Sequence, residues 1–155
     1  MIKTYIPLTV FSVLFLLLLP FVFITLYLDY SSSYLPGWHI SVNPFYFTVN
    51  AIKFLVLSLS LLGYWKIKKQ IEQISLNFFT IHLILTIPAI INLDLVLQSF
   101  IEFKIGSLEQ MERQIETLEN ITSVADMLFI IGQIYFWINY IAIFKNKATA
   151  NSRHD

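Results

Sequence analysis

The chain has 155 residues, of which 57% are hydrophobic, 16% are aromatic and only 13% are charged. A soluble domain carries about 25% charged residues, and 14 Phe and 8 Tyr are too many for one small globular core, so the composition indicates a lipid bilayer as the solvent. The formal net charge is zero and cysteine is absent, which excludes disulfides, thiol catalysis and cysteine-ligated metal sites.

Four apolar runs are long enough to cross a bilayer, since a spanning helix needs roughly 20 mostly apolar residues. They cover residues 6–28, 45–65, 74–101 and 121–144. The first run is free of charge and longer than the roughly 7–15 apolar residues of a signal peptide, and no small-residue cleavage site follows it. We expect a retained span, with a cleaved leader as the alternative.

Lysine and arginine are distributed unevenly over the segments outside these runs. Lys3, segment 66–69 and segment 145–153 hold most of the basic residues, and they share one side of the membrane in a four-span chain. The opposite side combines Lys104 and Arg113 with six acidic residues. The positive-inside rule then places both termini in the cytoplasm, and the short loops favour a bacterial cytoplasmic membrane.

The two outer segments have different characters. The first is rich in aromatic residues, among them Trp38, that suit the headgroup level of a bilayer. The second, residues 107–119, is predicted to form an amphipathic helix, in which Ser107 and Gln110 have the spacing of a capping box. Its other face is acidic, which favours docking on a protein over anionic lipid. Its apolar stripe, a candidate partner-binding surface together with Trp38, consists of Leu108, Met111, Ile115 and Leu118.

Three charged residues, Lys53, Asp94 and Asp126, lie inside the predicted spans, where each costs about 2.5–3.5 kcal/mol near the bilayer centre. Measured from rough span midpoints at about 1.5 Å of rise per residue, all three lie in the outer half of the membrane. Lys53 is therefore predicted to pair with Asp94, with Asp126 or with both.

Helical periodicity extends this cluster, because residues seven apart return to nearly the same face. Gln98 lies four residues after Asp94, and Thr80 and Ile87 are predicted to share that face. Gln133 follows Asp126 by seven residues. The polar cluster of Lys53, Asp94, Gln98, Asp126 and Gln133 is interpreted either as a structural contact inside a bundle or as a ligand-binding site.

Simpler interpretations of the same charges stay open. Both aspartates lie close enough to the outer headgroups to reach them, and Lys53 can extend along its own stem toward the interface. Asp126 also follows Ser123 at a capping spacing near the predicted start of span four.

His82 lies near the middle of the third predicted span, as a candidate proton relay or as a neutral residue hydrogen-bonded to a neighbouring helix. A bis-histidine haem needs a second histidine at similar depth, but His39 and His154 fall in a loop and in the tail. We therefore predict no cofactor and no metal site. Gly132, seven residues after Ala125, is predicted to permit close approach of two helices.

The predicted fold is all-α: a single transmembrane domain over residues 1–155, with four antiparallel spans and an amphipathic outer-side helix between spans three and four. The sequence contains no HExxH, GxSxG, phosphate-loop or CxxC pattern that would indicate an enzyme. The predicted function is that of an accessory subunit of a membrane complex or an immunity-type protein. The alternative is a small transporter or membrane enzyme that uses the polar cluster. The expected partners are the bilayer and a membrane protein or second copy, and no nucleic acid.

Overall fold

A computed structural model of the chain describes residues 1–32, 45–91 and 108–151, without the side chains of 24–47, 92–112, 114–115 and 146–155. Almost all of the described chain is helical, which confirms the all-α class. The helices are α1 (Tyr5–Ser32), α2 (Phe45–Gln70), α3 (Leu76–Ile90) and α4 (Leu108–Asn151), and two short strands are β1 (Ile2–Lys3) and β2 (Gln73–Ile74).

Three of these helices are long and apolar enough to cross a membrane. Their candidate spanning segments are Tyr5–Phe23, Thr48–Gln70 and Glu116–Lys145. The chain therefore has the helices of a membrane protein. Helix α3 has 15 residues, which is about 22 Å at 1.5 Å per residue and shorter than the roughly 30 Å hydrocarbon core. The remainder of the third predicted span lies outside the described residues, so a fourth crossing stays a prediction.

The chain divides into two compact units, an N-terminal unit, Ile2–Gln73, and a C-terminal unit, Ile74–Asp155, with which Met1 is grouped. In the N-terminal unit, α1 packs on α2 in antiparallel orientation. The Phe11 and Tyr64 ring centroids are 4.9 Å apart, and those of Phe15 and Phe54 are 4.4 Å apart. A later position on α1 thus meets an earlier position on α2.

Thr4 ties the start of α1 to the end of α2. Its backbone N–H donates to the Glu72 carbonyl at 3.0 Å, and its hydroxyl donates to the Ile71 carbonyl at 3.0 Å. Both acceptors follow α2 directly, where carbonyl groups at a helix end need partners from elsewhere. Next to this contact, β1 and β2 form a two-stranded sheet.

In the C-terminal unit, α3 and α4 also pack in antiparallel orientation. Phe78, early in α3, stacks on Phe136, late in α4, with 5.9 Å between the ring centroids. Thr86, later in α3, meets the earlier Gln133. The buried stripe of α4 repeats at spacings of three, four and seven, as expected for one face of a helix, and it includes Leu118, Ala125, Phe129 and Phe136.

The outer faces of the described helices are strongly apolar, whereas several of their buried positions are polar. On α2, the exposed residues Leu55, Leu59 and Leu62 lie opposite a buried stripe that includes Lys53 and Ser60. In water this pattern exposes apolar surface at a large cost, but in lipid it is favourable because polar groups then face protein. This distribution of exposed apolar and buried polar residues agrees with membrane helices, which the length and composition of α1, α2 and α4 also indicate.

Helix α4 differs from its predicted form. The amphipathic helix 107–119 and the span 121–144 were expected to be separate elements, but one helix of 44 residues runs through both. The physical reason is that no proline lies between Leu108 and Asn151 and no glycine lies near the expected break, so nothing interrupts the backbone hydrogen bonds. The interpretation of Ser123 and Asp126 as a helix cap is therefore wrong, because both lie in the interior of α4.

Candidate functional site

The buried face of α2 carries the polar residues of the N-terminal unit. Asn50, Lys53, Ser60 and Tyr64 are all buried there, at spacings that keep them on one stripe of the helix. Lys53 is only 6% exposed. An ammonium group almost never becomes so deeply buried unless polar groups surround it, and this stripe provides such groups along the helix.

The packing of α1 closes part of this stripe with apolar side chains. Phe11, which is fully buried, contacts the Tyr64 ring, and Leu14 and Leu18 continue the same buried face of α1. The arrangement places a cationic side chain in an apolar helix pair, with hydroxyl and amide groups above and below it on its own helix. It can serve as a structural contact or as an anion-binding position.

A second polar cluster joins α3 to α4 inside the C-terminal unit. The Gln133 side-chain amide donates to the Thr86 hydroxyl across the interface at 3.3 Å. The Gln133 side chain also lies next to the His82 imidazole. His82 and Thr86 are fully buried, and Gln133 is 5% exposed. One glutamine thus connects two polar residues that lie one helical turn apart on α3.

Aromatic packing surrounds this cluster. The imidazole of His82 stacks on the Phe136 ring with 4.8 Å between centroids, and Phe136 is itself fully buried beside Phe78. The ring stack covers one face of the imidazole and restricts its orientation. His82 is thus part of the α3–α4 packing, and its role as a proton relay stays a prediction.

Gly132 brings the two helices together at the same level. A Cβ atom added at Gly132 would lie 2.9 Å from Leu85 Cβ and 3.5 Å from Thr86 Oγ1. Such close approach at a small residue is typical of helix contacts in membranes. The short separation also lets the Gln133 side chain reach Thr86, so Gly132, Gln133 and Thr86 belong to one contact between α3 and α4.

The residues of the predicted polar cluster come from both units of the chain. Lys53 belongs to the N-terminal unit, whereas Gln133 and the half-buried Asp126 belong to α4 in the C-terminal unit. Asp94 and Gln98 lie outside the described residues. The pairing of Lys53 with an aspartate therefore stays a prediction, while Gln133 contacts residues of α3.

One expectation about α3 is wrong. Thr80 was assigned to the inward face together with Asp94, but Thr80 is exposed in the structure. The buried face instead includes Phe78, His82 and Thr86, because these positions meet α4. Thr86 was not singled out from the sequence, although its place four residues after His82 puts the two side chains on one face.

The predicted partner-binding residues are also distributed differently from the expectation. Leu118 is 5% exposed, so in the structure it is buried and not on a surface that is open to a partner. Trp38 lies outside the described residues. The other three predicted residues lie in α4, where the structure does not describe the side chains of Leu108, Met111 and Ile115.

Within residues 1–32, 45–91 and 108–151, no group of three or more histidine, aspartate or glutamate side chains is arranged to hold a metal ion. The buried polar groups described above can hold helices together, as Gln133 and Thr86 do, or contact an anion, as Lys53 could. No protein-family model matches the chain, and neither a curated protein nor a solved structure is similar to it.

Proposed function

We propose that this chain is a non-catalytic integral membrane protein that acts by binding another membrane protein. Its role is that of an accessory subunit of a membrane complex or of an immunity-type protein that blocks a membrane-active toxin. The proposed topology has four spans and both termini in the cytoplasm of a bacterial cell. This orientation rests on the bias of lysine and arginine toward one side.

The length and continuity of α4 carry the proposal. Its 44 residues extend over about 66 Å at 1.5 Å per residue, whereas a whole bilayer with its headgroups is about 40–45 Å thick. Residues 120–145 of the candidate span within α4, Glu116–Lys145, extend over about 39 Å at 1.5 Å per residue, more than the roughly 30 Å hydrocarbon core. The polar residues 108–119 therefore continue the same helix beyond the core. In the proposed topology this segment projects from the outer surface.

The sequence of the projecting segment supports a protein partner. Residues 108–119 contain four glutamates and one arginine, so lipid of negative charge is repelled. Of these glutamates, Glu116 and Glu119 are exposed. A partner with a basic and apolar surface complements this end of α4, where Leu108, Met111 and Ile115 recur at helical spacing.

The polar clusters support the same role. In the C-terminal unit, Gln133 is engaged with Thr86 and His82, so these groups serve to join α3 to α4. Buried polar contacts of this kind fix the register of membrane helices without any chemistry. A protein whose interior is used for its own packing can act through its surface.

The test is purification of a tagged chain from its native membrane in a mild detergent, with mass spectrometry of the proteins that co-purify. We expect a partner in stoichiometric amount. A variant with Glu116→Lys and Glu119→Lys is expected to lose this partner, because the charge of the projecting segment is reversed. The matched control is Glu72→Lys at an exposed position after α2, which is expected to keep the partner.

Two results contradict the proposal. The first is recovery of the chain alone, as a monomer or homo-oligomer. The second is equal loss of the partner in the Glu72→Lys control, which would show that charge reversal acts through expression or folding.

A small transporter or membrane enzyme is the second candidate, favoured by the deep burial of Lys53 on the same stripe of α2 as Asn50 and Ser60. In this alternative, Lys53 works with Asp94 and Asp126 in a cavity open to the outside, with His82 as a relay. Because the chain has no cysteine, a single Asn50→Cys variant, about one helical turn to the outer side of Lys53, can report on water access to the stripe.

The reporter is labelled in intact membranes with a water-soluble maleimide. Ser75→Cys, at an exposed position before α3, is the positive control after permeabilisation. Labelling of the Asn50→Cys variant at a comparable rate supports the transporter, whereas absence of labelling there, with Ser75→Cys labelled, supports a closed interior and the first proposal.

A further inference from the structure

The cytoplasmic end of α2 in the proposed topology carries an aromatic residue among lysines. Trp65 is 45% exposed, and the Lys69 ammonium lies 3.6 Å from the centroid of its ring. Lys66 and Lys68 are exposed in the same turn. A tryptophan beside lysines at the end of a spanning helix is the arrangement that meets lipid headgroups.

The position of these residues around α2 identifies what they face. At 3.6 residues per turn, Trp65, Lys66 and Lys69 lie on the side of α2 away from its buried stripe. They continue the exposed apolar stripe of the same helix, which comprises Leu55, Leu59 and Leu62. Because that stripe lies in a candidate membrane span, acyl chains cover it, and the headgroups of those lipids meet Trp65, Lys66 and Lys69.

We propose that Trp65, Lys66 and Lys69 form a binding site for the headgroup of an anionic phospholipid. The lysines provide two positive charges toward the lipid phosphate and any further headgroup charge, and the Trp65 ring holds the glycerol level. The nearest carboxylate in sequence is Glu72, beyond the end of α2, and it is exposed. The occupant is thus a lipid whose chains lie on the leucine stripe.

A purely structural role would look different. Lys68 and Lys69 lie in the last turn of α2, where positive charge stabilises a helix through its dipole. That role accounts for neither Lys66 nor the exposed tryptophan, and it predicts an effect on stability without any preference among lipids. Lipid preference is therefore the property to measure.

The experiment reconstitutes the full chain into phosphatidylcholine vesicles and measures quenching of Trp65 fluorescence by brominated lipid. The other two tryptophans, Trp38 and Trp137, are replaced by phenylalanine to isolate the signal. Brominated phosphatidylglycerol and brominated phosphatidylcholine are compared at the same mole fraction. We expect stronger quenching by phosphatidylglycerol, and this difference should decrease at high salt because the attraction is screened.

The variants define the site. Lys66→Gln with Lys69→Gln should reduce the relative affinity for phosphatidylglycerol by up to about five-fold per lysine, whereas the double Lys→Arg variant should retain it. Lys145→Gln, at an exposed position at the end of another candidate span, removes one positive charge elsewhere and should leave the preference unchanged. Circular dichroism verifies that each variant is helical.

Several outcomes overturn the proposal. Equal quenching by the two lipids does so, as does a loss in Lys145→Gln equal to that in either lysine of the site. Displacement of the lipid by inorganic phosphate at constant ionic strength would indicate a site for a soluble anion. Loss of a co-purifying protein with unchanged lipid preference would assign the lysines to an acidic protein instead.

Discussion

Gly132→Ala tests the closest contact between α3 and α4. The added Cβ would lie 2.9 Å from Leu85 Cβ and 3.6 Å from the Leu85 carbonyl carbon. Neither atom is the flexible end of a side chain, so the helices themselves must move apart. Overpacking of this kind costs about 1–3 kcal/mol, whereas alanine gains up to about 1 kcal/mol over glycine in helix propensity.

The net expectation for Gly132→Ala is a loss of about 1 kcal/mol in the free energy of unfolding, since the steric cost exceeds the gain in propensity. The assay is reversible unfolding of the purified chain from mild detergent by increasing amounts of SDS, followed by circular dichroism. The control is Ile131→Val, which alters one methyl group on the adjacent exposed residue and should shift the midpoint little.

A double-mutant cycle identifies the cause. Leu85→Gly removes the Cβ atom that the methyl group added at Gly132 would meet, so Gly132→Ala should cost less in that background than in the wild type. A Gly132→Ala protein as stable as the wild type or more stable would refute the close approach. An equal cost in both backgrounds would show that the destabilisation does not come from Leu85.

Three further substitutions test the other contacts. Gln133→Leu should lower the unfolding free energy by about 1 kcal/mol in the same assay, because it leaves the buried Thr86 hydroxyl without its cross-helix partner. Lys53→Ala should lower it by about 1–3 kcal/mol, whereas the exposed Lys66→Ala should change it by less than about 0.5 kcal/mol. Thr4→Val keeps the shape of the side chain but removes its bond to Ile71, and it should increase amide hydrogen exchange or proteolysis around residues 71–74.

Each of these substitutions has a result that would count against it. Thr86→Val combined with Gln133→Leu should recover part of the loss, and no recovery would argue against a direct contact. Equal thermal stability of the Lys53 and Lys66 variants in detergent would argue against a structural role for Lys53. Thr9→Val removes a hydroxyl that bonds within its own helix, and an effect on residues 71–74 as large as that of Thr4→Val would contradict the tie between α1 and α2.

Local patterns were sufficient to predict much of the chain. The helical class and the spans containing Ile6, Lys53 and Ile131 follow from runs of apolar residues, because the bilayer imposes the same length on every spanning helix. Gly132 was recognised as a site of close approach for a similar reason, since a small residue in an apolar helix allows backbones to meet.

The partners of the polar residues could not be predicted in the same way. Gln133 was grouped with Asp126 because the two are seven residues apart, but its contacts are Thr86 and His82 on α3. Periodicity gives the face of one helix but not the register of the helix that packs against it. Thr80 was misassigned for this reason, since the part of α3 that faces α4 depends on how the pair is rotated.

The sequence by itself determined that this protein consists of apolar helices suited to a membrane, because the hydrophobicity and the length of each run are properties of that segment alone. Only the tertiary structure decided that Leu118 is buried and that Gln133 contacts Thr86 on α3. These features depend on which side chains meet across two helices. For Gln133 and Thr86 it depends on the close approach of the two helices at Gly132 and Leu85, which no single segment of the sequence specifies.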